Sequence, residues 1–249
     1  MSINEIAAKG FSSAAEIYER GRPGYAPEAV AWVCKRLGIG PRRTVLDLAA
    51  GTGKLTRDLV PTGARVIAIE PLDEMRGELE RVVPGVETFK GTAEDIPLED
   101  GSVDAVVCAQ AFHWFDPEHA LPEIRRVLRP GGGLALLYNS RDLEDRVQKK
   151  LDEMLDPYRG TVERHWVHAH DDVLVHTRLF GPVEHRSWRS EQPVSLDGLL
   201  ETAASRSYVA SLDQETRIEL LGVIRGAFAD EPEPIVLRYD VDVFVVDRA

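Results

Sequence analysis

With 249 residues and 43% apolar side chains, the chain is long enough for one large α/β domain, or one domain with a cap. A net charge of −12 disfavours a nucleic-acid substrate, because lysine and arginine contacts to phosphate dominate such binding, and the short basic clusters Arg42-Arg43, Arg125-Arg126 and Lys149-Lys150 are of a kind found on any solvated surface. The opening MSINEIAAKG lacks a signal-peptide pattern, no stretch approaches the roughly 18 apolar residues of a membrane span, and Cys34 and Cys108 read as reduced thiols, so the expected location is the cytoplasm.

Ser12 or Ser13 is placed to cap a first helix that runs to about Arg20, and Gly21-Arg22-Pro23-Gly24 breaks it. Pro27 then starts a second helix, EAVAWVCKRL, which Gly38 ends. Short apolar strands next alternate with amphipathic helices. Strands are predicted over 44–49, 65–69, 86–89, 103–109 and 133–138, with helices over 55–59, 73–82 and 118–128 between them. The fifth strand is expected to start after the turn Pro130-Gly131-Gly132. Near-continuous apolar strands alternating with helices mean a parallel sheet covered on both faces. Residues 142–180 read as polar helices, 183–194 as a strand and 195–228 as helices again. A partly alternating segment, Ile235–Val246, reads as a long final strand.

The segment 45–56, VLDLAAGTGKLT, carries the most information. A buried strand runs through the small-residue turn Ala49-Ala50-Gly51-Thr52-Gly53 into a helix, where glycines let the backbone turn sharply and a ligand come close. Sites for NAD, FAD and S-adenosylmethionine (SAM) all use such a loop. The dinucleotide fingerprint needs a third small residue at position 56, where Thr56 stands, and a P-loop needs a glycine at 48 and a hydroxyl at 55, where Leu48 and Leu55 stand. Asp47, at the strand end, suits a ligand with an ammonium group, such as the methionine part of SAM. Glu70, ending the second strand, suits ribose hydroxyls in either ligand class. The polar turn over 91–97 lies at the same sheet edge, where its backbone and Glu94 or Asp95 can read an adenine edge.

Asp47–Gly53, Glu70, Thr92-Ala93-Glu94-Asp95-Ile96-Pro97 and Leu128-Arg129-Pro130-Gly131-Gly132 match, in order and spacing, the motifs of class I SAM-dependent methyltransferases. The chain most resembles the small-molecule branch that includes ubiquinone-biosynthesis and trans-aconitate methyltransferases. The opening segment FSSAAEIYERGRPGYAPEAVAWV also resembles that branch, and the likeness spans about residues 11–140. It implies a Rossmann-like, seven-stranded, mostly parallel sheet with a reversed last strand, for which Ile235–Val246 is the candidate. It implies SAM as cofactor, held by Asp47, Ala49, Gly51, Thr52, Gly53, Glu70, Pro71, Met75, Thr92, Ala93, Glu94 and Gln110. Ala49 departs from the family pattern, which often has glycine there.

Within one domain, residues 1–40 are expected to be lid helices, 41–140 the SAM-binding core, 141–230 a helical cap that meets the substrate, and 231–249 the final strand. The expected partner is a small organic acceptor with a receiving carboxylate or hydroxyl. By the resemblance, the edge holding Gln110, His113, Trp114 and Phe115 faces the transferred methyl. His113 is the candidate general base, although a wall role for His113 and Trp114 is favoured. Tyr18, Arg22 and Tyr25 are placed to close over cofactor and acceptor, and the glycines of Arg20–Gly24 to act as a hinge. His165, His168 and His170, beside Asp171 and Asp172, lack a recognised metal-ligand spacing, so no metal is expected. Trp166 and Trp188 read as packing residues. Two rival functions stay open: a SAM-binding protein without catalysis, and a nicotinamide-dependent oxidoreductase.

Overall fold

The computed structural model describes residues 15–160 and 173–249. Thr44–Leu48 (β1) is buried along its whole length, as expected of a strand without polar alternation. It pairs in parallel with β2 (Arg65–Ile69) on one side and β4 (Val103–Ala109) on the other. β3 (Glu87–Phe89) extends the sheet beyond β2, and β5 (Leu128–Arg141) extends it beyond β4, both in parallel. β7 (Ile235–Asp247) lies antiparallel between β5 and β6 (Glu184–Val194), giving the order β3-β2-β1-β4-β5-β7-β6. The expected seven-stranded Rossmann-like sheet is present, with β7 running against the other six strands.

Helices cover both faces. On one face, Leu46, Leu48, Val106 and Leu136 pack with Ala120, Leu121 and Ile124 of α5 (Pro117–Val127). On the other, Val45, Ala105, Val107 and Leu137 pack with Ala29, Val30 and Val33 of α2 (Pro27–Leu37) and with Leu55 and Leu59 of α3 (Lys54–Leu59). Each fully buried Leu, Ile or Val contributes about 1.5–3 kcal/mol of transfer free energy. The first half of β7 carries a third cluster. Ile235, Leu237 and Tyr239 meet α6 (Arg146–Leu155), α7 (Leu196–Ala204), α8 (Ser207–Ala210) and α9 (Gln214–Ala227). Trp188 of β6 packs against Trp32 of α2, with ring centroids 5.5 Å apart.

Local signals hold at most element ends. Pro27 opens α2, and Gly38 closes it in the left-handed conformation at φ 63°. α4 spans Asp73–Val82. The turn expected before β5 is an excursion within the strand. Leu128 pairs with Val103, the chain loops out through Arg129–Gly132, and pairing resumes at Gly133 opposite Ala105. Gly131, at φ 77°, makes the loop possible. The histidine cluster at 165–170, Trp166, Asp171, Asp172 and the serine cap candidates lie outside the described residues.

α1 (Ala15–Gly21) is fixed on two sides. Thr52 donates its hydroxyl to Glu19 at 2.6 Å, and the Lys54 ammonium donates to the Glu19 carbonyl at 2.6 Å. Toward α7, Arg20 pairs with Glu201 at 2.6 Å, and the Thr202 hydroxyl donates to the Gly21 carbonyl at 2.8 Å. A Cβ on Gly21 would stand 2.3 Å from the Glu201 carbonyl oxygen. Gly21 therefore has a packing reason, close approach of two helices, that the hinge expectation did not include. No helix among the described residues is long and apolar enough to cross a membrane.

Candidate functional site

The chain leaves β1 for β2 and β3 on one side, then returns to β4 and β5 on the other. β1 and β4 therefore flank a topological switch point, where a crevice opens at the carboxyl ends of the strands. Two cavities of about 390 and 90 Å³ occupy it and share Tyr18, Ala49, Gly51, Ala109, Gln110 and Trp114 in their walls. Asp47, Thr52, Arg22, Tyr25 and His113 line the larger one only. Glu70, Pro71, Met75, Thr92, Ala93, Glu94 and Phe115 line the smaller one only.

Of the residues expected at the site, Gly53 and Asp95 line neither cavity; Gly53 has a packing role. Its φ is 84°, and an added Cβ would meet Leu79 Cγ of α4 at 2.8 Å, so this glycine seats the loop against a helix. Gly51 differs. At φ 59° it has no atom within 4 Å of an added Cβ, so its backbone faces open space. Ala49 and Gln110 also take left-handed conformations, with φ of 56° and 57°. The family preference for glycine at position 49 has its physical reason here, since a Cβ in that region is strained. Gln110 is steadied by its amide, which donates to the Asn139 carbonyl at 3.1 Å.

Two buried carboxylates stand at the ends of β1 and β2. Asp47 accepts the Thr56 hydroxyl on Oδ2 at 2.6 Å, and its buried Oδ1 has no partner. Thr56, the residue that breaks the dinucleotide fingerprint, thus serves as the anchor of Asp47. Glu70 accepts the Gly51 N–H on Oε2 at 2.9 Å and the Leu72 N–H on Oε1 at 3.0 Å. Burial pushes the pKa of both carboxyls up to about 7, outweighing the hydrogen bonds that favour the charged forms.

The third polar element is the turn after β3. Glu94 accepts the Asp116 N–H on Oε1 at 2.9 Å, while its buried Oε2 has no partner. Asp95 is exposed and outside the cavity walls, so of the two acids at this turn Glu94 reaches the site. Met75, Leu72, Ala111 and Phe115 give the smaller cavity its apolar surface. His113 lies in the larger cavity's wall, its ring centroid 4.5 Å from that of Trp114. Over the opening, the Arg22 guanidinium lies 5.2 Å from the Tyr18 ring centre, and burial raises the pKa of both Tyr18 and Tyr25.

Sequence reading missed the far wall of the larger cavity, formed by Arg141, Arg159, Arg206, Tyr208 and Tyr239. These residues come from the end of β5, the segment after α6, the α7–α8 junction and β7, and no motif joins them. Arg141 alone had a signal, its place beyond the carboxyl end of a parallel strand. Arg141 and Arg159 share Asp152, at 3.3 and 2.8 Å. Arg206 has no ion pair among the described residues, and its buried Nε has no partner.

A family model described as a methyltransferase domain matches residues 46–136. An uncharacterized methyltransferase of Mycobacterium tuberculosis is 41% identical over 226 residues, covering 89% of this chain and 86% of that one. Among solved structures, a provisionally named type II methyltransferase of Anaeromyxobacter dehalogenans aligns with a TM-score of 0.68 at 25% identity, over 91% of this chain and 97% of that one. A phosphoethanolamine N-methyltransferase of Haemonchus contortus, solved with S-adenosylhomocysteine (SAH), aligns with a TM-score of 0.58 at 15% identity, over 100% of this chain and 60% of that one, a likeness of fold.

Proposed function

The chain belongs to the class I SAM-dependent methyltransferases, and on that premise we propose that it binds SAM in the switch-point crevice and methylates a small organic acceptor at a carboxylate or hydroxyl. The observation that carries this reading is the pair of buried carboxylates, Asp47 and Glu70, flanking a glycine loop open to the cavity. An unpartnered buried carboxylate oxygen calls for a donor, and the ammonium of a methionine moiety supplies one at Asp47. Each Glu70 oxygen already accepts one N–H and has room for one further donor, which matches two ribose hydroxyls. The free oxygen of Glu94 matches an adenine amino group, between Met75 and Phe115. Gly51, with Ala49 and Thr52 beside it, lets the backbone come close to the ligand. Pro71, Thr92, Ala93 and Gln110 complete the contact surface.

When bound, SAM supplies a sulfonium methyl that is already activated. The chain's own residues then align the acceptor and exclude water. Trp114 and Phe115 form an apolar wall. His113 holds the acceptor's proton if the receiving group is a hydroxyl, whereas a carboxylate needs no base. Tyr18, Arg22 and Tyr25, in the 1–40 segment, act as a cover. Residues 41–140 hold the cofactor, 141–230 shape the acceptor compartment and 231–249 finish the sheet. A small acceptor is favoured over nucleic acid by the net charge of −12. The two free cysteines, Cys34 and Cys108, favour a cytoplasmic location.

Calorimetry tests the cofactor. SAM and SAH bind and NAD does not. Tight NAD binding without a response to SAM overturns the reading. Conversion of SAM to SAH with any member of an acid, phenol and amine panel then separates an enzyme from a binding protein.

A further inference from the structure

The far wall of the larger cavity is richer in positive charge than its neighbours can balance. Arg22, Arg141, Arg159 and Arg206 line it, with Lys54 nearer the glycine loop. Lys54 is matched by Glu19 at 3.6 Å, and Arg159 by Asp152 and Asp156 at 2.8 and 3.2 Å. Arg141 has only a share of Asp152, at 3.3 Å. Arg22 has no carboxylate partner among the described residues; it donates to the Ser205 carbonyl at 3.1 Å, and its buried Nε has no partner. Arg206 is 8% exposed and has no ion pair or side-chain hydrogen bond among the described residues. The wall's acids are engaged elsewhere or lie at the loop: Asp240 meets Arg189 at 3.7 Å, Asp242 meets His185 at 3.0 Å, and Asp47 is at the end of β1.

A buried, unpaired guanidinium is costly to a fold unless something else matches it. Arginine does not escape by losing its proton, since its pKa lies far above neutrality. Burial and the nearby Arg22 lower the pKa of Arg206, and Arg141 is lowered to about 10, chiefly by the Arg206 charge. At neutral pH both stay charged. Two neutral donors stand in the same wall: the Tyr208 and Ser140 hydroxyls are buried without partners. Several guanidinium N–H groups and two hydroxyls lining one cavity form a donor set for an oxyanion.

We propose that Arg206 and Arg141, helped by Arg22, Tyr208 and Ser140, bind a carboxylate or phosphate group carried by the methyl acceptor. The assignment to the acceptor rests on the methyltransferase reading; the anion site itself does not. The cofactor carries one carboxylate of its own, which can engage at most part of the array. Arg206, Tyr208 and Arg141 lie beyond the 11–140 stretch that carries the cofactor motifs, in the part of the chain left to define the acceptor.

The test uses the full chain saturated with SAH, so that the cofactor's carboxylate is already in place. Inorganic phosphate, malonate and neutral malonamide are titrated at constant ionic strength, with melting temperature and calorimetry as readouts. At least one dianion raises the melting temperature and binds, and malonamide does neither; the stronger of phosphate and malonate identifies the group. Arg206→Met weakens that binding at least tenfold, while its melting temperature without anion equals or exceeds that of the parent. Arg206→Lys recovers part of the binding. A purely structural Arg206 would instead show a lower melting temperature and unchanged anion affinity in Arg206→Met. No dianion effect beyond the malonamide control, or unchanged affinity in Arg206→Met, overturns the proposal. If Arg206→Met fails to fold, Arg141→Met is read by the same criterion. SAH binding without anion binding refutes only this inference, and anion binding without SAH binding refutes only the cofactor reading.

Discussion

Glu70→Gln alters how stability depends on pH, by an amount that follows from the burial of this carboxyl. In the folded chain its pKa is raised from 4.5 to about 7, with desolvation as the largest cause and two backbone N–H donors opposing it. The unfolded chain gives up this proton first. Between pH ~4.5 and ~7 the folded state therefore holds more protons, and stability falls as pH rises. Each tenfold gain in proton affinity on folding is worth about 1.4 kcal/mol, so Glu70 removes on the order of 3 kcal/mol between acid and mildly alkaline conditions. Glutamine has no such proton, but its amide can accept from only one of the two N–H groups that Glu70 satisfies. That adds a pH-independent cost of about 1–3 kcal/mol. Urea denaturation of the ligand-free protein and the variant from about pH 5 to pH 8 separates the two effects, because the constant cost cancels in the slope. The variant gains on the parent as pH rises to about 7, and the difference then levels off. Two parallel curves would refute the account and mean that Glu70 is ionised throughout, held by Gly51 and Leu72.

The other expected outcomes concern the loop and the cover. Ala49→Gly relieves a left-handed Cβ, worth about 1–2 kcal/mol, against about 0.4–1 kcal/mol of added unfolded-state entropy; a melting temperature raised by up to a few degrees checks it. Gly21→Ala drives a methyl toward the Glu201 carbonyl and costs about 1–3 kcal/mol of stability by denaturation. Glu70→Ala weakens SAM binding about tenfold or more in calorimetry, because two hydroxyls lose a charged acceptor. If α1 is a cover, limited proteolysis near residues 20–24 is slower with SAH than without, and equal rates would leave α1 as fixed packing.

The sheet was legible because its central strands obey a local rule. Thr44–Leu48 and Val103–Ala109 are apolar apart from Thr44 and one aspartate each, Asp47 and Asp104, with no regular polar alternation, so burial on both faces is written in their composition. The cofactor side of the crevice was legible for a related reason: Asp47 lies near the end of β1, Gly51 and Glu70 just beyond the ends of β1 and β2, and a parallel sheet gathers such positions at one edge. Gly53 shows the limit, since a glycine that fits a helix against a loop looks in sequence like one that admits a ligand. The arginine wall was not legible. Arg141, Arg159 and Arg206 are separated by helices whose packing on Ile235, Leu237 and Tyr239 brings them together, and that packing depends on three-dimensional fit.

The two rims of the sheet differ in a way that bears on how the protein survives crowding. A bare outer strand offers a row of unpaired N–H and C=O groups to any passing extended chain. At one rim, β3 is only three residues long, too short to serve as a template. At the other, β6 is eleven residues long and pairs along its length with β7, but its outward positions include Arg186, Arg189 and Glu191, and Pro193 lacks an N–H. One rim is guarded by brevity and the other by charge and an imino acid. A β-branched apolar residue in place of Arg186 would give up the guanidinium's position over the Trp32 ring, and in place of Arg189 the ion pair with buried Asp142, and either would raise the tendency to aggregate.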